Sequence, residues 1–221
     1  MTESTTRPRL VDDDPTQPDE RRQWQVVGAL AIVALMLGTL LLWGFSRRAS
    51  VFLGGPALPV LGQVTDFQLT ERSGGNVGLA DLRGKVWVAD FIFTSCAGPC
   101  PRMTERMADL QQRWRKENGL RLVSVSVDPE RDTPAVLQKY ADRYQANPYR
   151  WLFLTGDLEA IKQLAVKGFA LGSIEEPIFH STKFALVDRL GQIRGYYEGT
   201  SVEEVNQLSR DIRRVLAERV W

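Results

Sequence analysis

Metal-binding side chains are scarce in this sequence. Its 221 residues hold two cysteines and one histidine, whereas a structural zinc site takes four protein ligands, drawn mostly from these two types. A closed zinc site is therefore excluded. An excess of charge is also lacking: 28 lysines and arginines stand against 27 aspartates and glutamates. No net field draws in nucleic acid or an acidic polymer, and no nucleic-acid partner is expected. Beyond residue 60 there is neither an internal repeat nor a low-complexity segment, which points to one ordinary domain. A further absence lies near the start, because no residue from Gln23 to Ser46 carries a formal charge.

As a helix, that run of 24 residues would be roughly 36 Å long at about 1.5 Å per residue, which exceeds a hydrocarbon core of about 30 Å. Arg21 and Arg22 flank it on one side and Arg47 and Arg48 on the other, with Trp24 and Trp43 placed as interfacial aromatics. Residues 23–46 are read as a transmembrane anchor. A cleaved signal peptide is the competing reading, but its apolar region runs about 7 to 15 residues and ends in a small-x-small site. The stretch RRASVFLGG offers no clean one. A helix of a soluble domain is disfavoured because no polar face interrupts the run. Counting Arg7 and Arg9 with the flanks favours a cytoplasmic N-terminus, with the C-terminal domain on the exported, periplasmic or equivalent side. Residues 1–22 are polar, charged and proline-dotted, a disordered tail, and residues 47–60 have the Gly-Gly-Pro content of a linker.

Residues 61–221 are expected to form one α/β domain. The run Val86 to Phe93 is apolar enough for a strand buried on both faces. Met103, Met107, Leu110 and Trp114 then recur at steps of four, three and four, with Pro101 suited to a first helical turn and Gly119 to the exit. A strand LRLVSVSV follows, ending at Asp128. Thr133 and Pro134 open a helix carrying Val136, Leu137, Tyr140 and Tyr144. RWLFLTGD is the next strand, and Asp157 caps the helix after it. KFALVD and IRGYYEG form a hairpin, and Ser201 with Glu204 makes a capping box for the last helix. The order βαβαβαββα is the layout of a thioredoxin-like domain, a central mixed sheet flanked by helices, with one inserted βα unit.

Both cysteines lie in FIFTSCAGPCPRM, between the first strand and the first helix. Pro99 and Pro101 bias Gly98 and Cys100 away from helical backbone, which predicts a tight loop with Cys100 near the N-cap. Both sulfurs would then sit at the positive end of the helix, where the dipole favours thiolate. Three readings are open. A structural disulfide between Cys96 and Cys100 would close a very short loop, where the chain-entropy gain is smallest. A dithiol oxidoreductase more typically has two intervening residues rather than three. Two thiolates could instead serve as soft ligands for a copper ion, with a third ligand from elsewhere. The lone histidine, His180, precedes the strand KFALVD, and in a thioredoxin-like layout that loop approaches the cysteine loop. Met103 and Met107 could offer thioethers, but their helical spacing marks them as core.

Three segments together resemble the Sco (SenC) family of membrane-anchored copper proteins: FIFTSCAGPCPRM, SVSVDPERDTP, and HSTKFALVD about 80 residues after the second cysteine. The resemblance covers roughly residues 60 to 215. It implies a thioredoxin-like fold in which Cys96, Cys100 and His180 bind one copper ion, Cu(I) or Cu(II). It also implies assembly of the copper site of cytochrome c oxidase, with the copper-accepting oxidase subunit as partner and an upstream copper donor or thiol reductant. Asp128 matches the aspartate of the DPERDT stretch, where a role near the metal or toward a partner competes with that of a turn residue before Pro129. Two positions depart from the family pattern. Ala97 stands where proline often follows the first cysteine, and Phe179 stands where aspartate commonly precedes the histidine, removing a partner that would orient the imidazole.

Two functions of different class follow. The leading one is a copper metallochaperone using Cys96, Cys100 and His180. The alternative is a membrane-tethered thiol-disulfide reductase in which Cys96 attacks and Cys100 resolves. A peroxidase variant and a purely structural docking module fit less well. The basic residues Arg113, Arg115, Lys116 and Arg121 read as a solvated helix face and its exit.

Overall fold

The structure, a computed structural model, describes residues 20–52, 57–172 and 181–218. The chain divides into two compact units, Met1–Leu53 and Gly54–Trp221. Among the described residues the first contains helix α1 (Glu20–Phe52), whose side chains are described without interruption from residue 28 to 43. Among the described residues no helix is long and apolar enough to cross a membrane. From Leu30 to Trp43, however, the large apolar side chains of α1 are all exposed.

The second unit is built on a sheet whose centre is β4 (Val86–Ile92). All seven of its residues are buried, as a run apolar but for Asp90 predicts for a strand covered on both faces. Strand β5 (Leu120–Ser126) pairs with it in parallel from Val86 opposite Leu120 to Ile92 opposite Ser126, and β6 (Trp151–Thr155) pairs in parallel with β5. On the other side β7 (Lys183–Val187) runs antiparallel to β4, and β8 (Gln192–Glu198) antiparallel to β7. Three short strands that the sequence pattern does not announce complete the sheet: β1 (Gly62–Gln63) beside β8, and the hairpin of β2 (Gln68–Glu71) and β3 (Asn76–Gly78) beside β6. The order is β1-β8-β7-β4-β5-β6-β2-β3. Strands of two to four residues are too short to show an alternation of period two, and pairing with an existing edge defines them.

Alternate residues of β4 enter two cores. Val86, Val88 and Ile92 pack with Met103, Met107 and Leu110 of α3 (Pro99–Arg113) and with Leu208, Ile212 and Val215 of α6 (Val202–Ala217). Trp87, Ala89 and Phe91 share the second core with Leu79 and Leu82 of α2 (Leu79–Leu82) and with Ile161, Leu164 and Phe169, carried by or just after α5 (Leu158–Gln163) and its π-helical continuation Leu164–Gly168. Met103 and Met107 are wholly buried, so their spacing does mark a core stripe. Helix α4 (Pro134–Arg143) covers Phe153 through Tyr140. The expected caps are in place: Thr133 accepts from the amide of Val136, Asp157 from that of Ala160, and Ser201 from that of Glu204. The carboxylate of Glu204 reaches the amide of Glu198 instead of closing a capping box.

Candidate metal centre

Strand β4 ends one residue before Phe93, and the chain turns at once. The amide of Cys96 donates to the carbonyl of Phe93 at 3.2 Å, closing a turn over Phe93–Cys96, and α3 begins three residues later with Gly98 as its N-cap. Cys100 is therefore inside the first helical turn, not at the cap where the pre-proline bias would leave it. Proline fits that turn because its fixed φ is near the helical value and its missing amide hydrogen would have had no helical partner. With Pro99 and Pro101 both in the first turn, Cys100 between them is carried into helical backbone.

This placement separates the two thiols, both of which are free. Cys100 is buried among Ile92, Met103 and Tyr140, while Cys96 is half-buried against the same cluster. Burial raises the pKa of Cys96, but the thiol of Cys100 and the amides of Cys100 and Gly98 hydrogen-bond to its sulfur, and together they hold it below the ordinary thiol value. For Cys100, burial, the hydrogen bond it gives to Cys96 and the negative charges at Cys96 and Asp90 outweigh a hydrogen bond from the Phe93 amide. Its pKa is pushed up to about 12. The helix N-terminus thus favours one thiolate, not the two that its dipole alone would suggest.

In donor chemistry the pair fits a soft ion such as Cu(I): two sulfurs in hydrogen-bond contact, one of them reachable from solvent. Among the described residues no group of three histidine, cysteine, aspartate or glutamate side chains comes together. His180 and Phe179 lie outside the described residues. The strand after them, β7, places Ala185 opposite Ala89, so β7 begins at the end of the sheet where β4 delivers the cysteines.

Asp128 is 13% exposed and forms an ion pair of 2.9 Å with Arg131. It lines a cleft of about 330 Å³ between Phe93 and Ser95 on one side and Val127, Pro129 and Leu158 on the other. That puts it beside the cysteine turn, engaged with Arg131. Two further aspartates matter that sequence reasoning passed over. Asp90, wholly buried in β4, has a pKa raised to about 7 by burial, partly offset by the hydrogen bond from Ser124. Asp132, also wholly buried, accepts from Thr94 and Ser126. The available signal was a carboxylate inside an otherwise apolar strand, and a second aspartate in DPERDT. Arg113 bonds Asn206, and Arg121 the carbonyls of Asn118 and Leu120, in keeping with a solvated face.

The SCO1/SenC family model matches residues 61–217. A SCO1 protein homolog of Bacillus subtilis is 37% identical over 161 residues, spanning 70% of this chain and 83% of its own. The structure of BsSco, a member of the Sco family of cytochrome c oxidase assembly proteins in which a disulfide switch was identified, agrees with a TM-score of 0.66 at 35% identity. It covers 74% of this chain and 99% of BsSco. Yeast Sco1 with copper bound gives 0.55 at 26% identity, covering 70% of this chain and 94% of its own. These likenesses bear out the thioredoxin-like layout expected from the element order.

Proposed function

The chain belongs to the SCO1/SenC family, and from that membership we propose that it carries copper for assembly of the copper centre of cytochrome c oxidase. The observation that carries this reading is the contact between two sulfurs of unlike character. Cys96 is accessible and inclined to ionise, and Cys100 is buried and keeps its proton. Copper is the cargo. Cys96 and Cys100 would hold it through sulfur, and His180 would add an imidazole nitrogen. Transfer requires ligands that leave one at a time. Cys96, held by amide and thiol hydrogen bonds, can give way to an incoming acceptor thiolate while Cys100 stays in the core.

Residues 23–46 anchor the protein in this reading, with the N-terminus cytoplasmic and the Gly54–Trp221 unit on the exported side. The support is the uncharged run itself and the exposed Leu, Ile, Met and Trp side chains of α1, whose contact with water is unfavourable by about 25 cal/mol per Å². The partners are the copper-accepting oxidase subunit and an upstream donor of copper or of reducing equivalents.

The split in thiol acidity also favours a second reading, a tethered thiol-disulfide reductase that keeps partner cysteines reduced, because an exposed low-pKa thiol is the attacking group such chemistry needs. One experiment separates the two. The full chain in detergent, reduced or oxidised, is titrated anaerobically with copper against a calibrated chelator and then mixed with an acceptor domain in its dithiol or its disulfide form. The copper reading requires that the reduced chain retain one ion, that the oxidised chain not do so, and that the acceptor withdraw it. A reduced chain that retains no copper yet reduces the acceptor's disulfide would establish the second reading instead.

A further inference from the structure

The turn that presents Cys96 is fastened from below. Its second residue, Thr94, donates its amide to Asp132 Oδ2 at 2.9 Å and its hydroxyl to Asp132 Oδ1 at 2.5 Å. Asp132 Oδ2 also accepts from Ser126 Oγ at 2.6 Å, and Ser126 Oγ in turn accepts from the amide of Asp128 at 3.1 Å. The carboxylate is 0% exposed, and the donors of these three hydrogen bonds are all uncharged. A buried carboxylate is tolerated only where hydrogen bonds replace its water, and charge-assisted bonds are roughly twice as strong as neutral ones. Thr94 is thereby held to the ends of β5 and its turn.

Both sulfurs depend on that hold. Thr94 lies inside the turn that the Cys96 amide closes on the Phe93 carbonyl at 3.2 Å, and Cys100 follows in the first turn of α3. Cys100 itself cannot easily move. It lies in a helix packed on the core, and its carbonyl accepts at 2.9 Å from Thr104 Oγ1, which bonds the Tyr140 hydroxyl at 2.8 Å. A disulfide requires the sulfurs to approach to about 2.0 Å, well inside hydrogen-bond contact. The displacement must come from the Phe93–Cys96 turn.

We propose that Asp132 is a positioning residue for the cysteine pair: acting through Thr94, it holds the turn in the two-thiol arrangement and so favours dithiol over disulfide. The proposal rests on the reading of Cys96 and Cys100 as a pair that passes between those two states. It does not depend on copper.

The test is the equilibrium of the full chain with glutathione. The Cys96–Cys100 bond opens as two glutathione thiols join in a disulfide, and two electrons and two protons pass to the protein sulfurs. The dithiol fraction is read by alkylation and mass spectrometry. Thr94→Val removes the hydroxyl but keeps the amide donor, and Asp132→Asn removes the charge. Each lowers the equilibrium constant for reduction about tenfold or more, equivalent to about 30 mV, and Thr94→Ser restores the parent value. A residue that only supported the fold would destabilise both redox forms alike and leave this constant unmoved. Constants within twofold of the parent, or a shift toward the dithiol, overturn the proposal. Should Asp132→Asn fail to fold, Thr94→Val decides, since it leaves Asp132 its bonds to the Thr94 amide and Ser126. A parent chain that forms no internal disulfide at any glutathione ratio defeats the underlying reading, and the proposal falls with it.

Discussion

Asp90 Oδ1 accepts a hydrogen bond of 2.6 Å from Ser124 Oγ in a site with no access to water, while its second oxygen has no hydrogen-bond partner among the described residues. Ser124 Oγ also accepts from Trp151 Nε1 at 2.9 Å, so one chain of polar groups crosses β4, β5 and β6. With one oxygen unpartnered and no water to solvate it, the ionised carboxylate is disfavoured relative to the protonated one, and burial raises the pKa to about 7.

A pH dependence of stability follows. Between the unfolded value of about 3.9 and the folded value of about 7, the folded chain keeps a proton that the unfolded chain has released. Stability from this group is therefore complete below about pH 4 and is lost as pH rises to about 7, at up to about 1.4 kcal/mol per pH unit. Urea unfolding of the Gly54–Trp221 unit at a series of pH values will show this slope, and Asp90→Asn will flatten it. Equal slopes in parent and variant would contradict the assignment.

The two cysteines will differ in reactivity. Iodoacetamide at neutral pH modifies Cys96 first, because it is both more exposed and more acidic, and Cys100 stays unmodified while the fold holds. Peptide mapping after brief alkylation checks this. Preferential labelling of Cys100 would mean that the burial order is wrong. Cys96→Ser is expected to abolish copper retention and thiol exchange together.

His180 distinguishes the two proposed functions. His180→Ala should weaken copper binding by more than about a hundredfold if the imidazole completes the site, since losing even an outer-shell partner commonly costs 10- to 100-fold. Disulfide reduction should be largely unaffected, since thiol exchange needs no imidazole. Unchanged copper affinity by chelator competition would remove His180 from the ligand set.

A buried ion pair that ties down the start of the Gly54–Trp221 unit is also open to test. Arg194, with its side chain 7% exposed, bonds Asp188 at 3.0 Å and Glu218 at 2.6 Å, and it also donates to the carbonyls of Leu58 and Pro59. Arg194→Ala leaves the buried Asp188 carboxylate without its cation, a change that typically destabilises by about 3 to 5 kcal/mol. Denaturant midpoints report it. A loss below about 1 kcal/mol would show that water replaces the guanidinium.

Much of the fold was legible because local chemistry and long-range packing agree. The run Val86 to Phe93 reads as a doubly buried strand, and β4 is buried throughout as far as Ile92. The stripe of Met103, Met107 and Leu110 reads as core and is so, and Thr133, Asp157 and Ser201 cap helices where their side chains suit that role. The short strands at both edges were not legible, because a segment such as Gly62–Gln63 becomes a strand only by meeting β8.

The cysteine site divides in the same way. Residue types and spacing alone determine that Cys96 and Cys100 are neighbours at the head of a helix, since only three residues separate them and Pro99 and Pro101 limit the backbone there. Which sulfur ionises is decided by tertiary structure, through the core that closes over Cys100 and the amides aimed at Cys96. The grip of Asp132 on Thr94 likewise joins residues 38 positions apart. Its strength comes from a buried charge that only the assembled sheet and its loops can surround with donors.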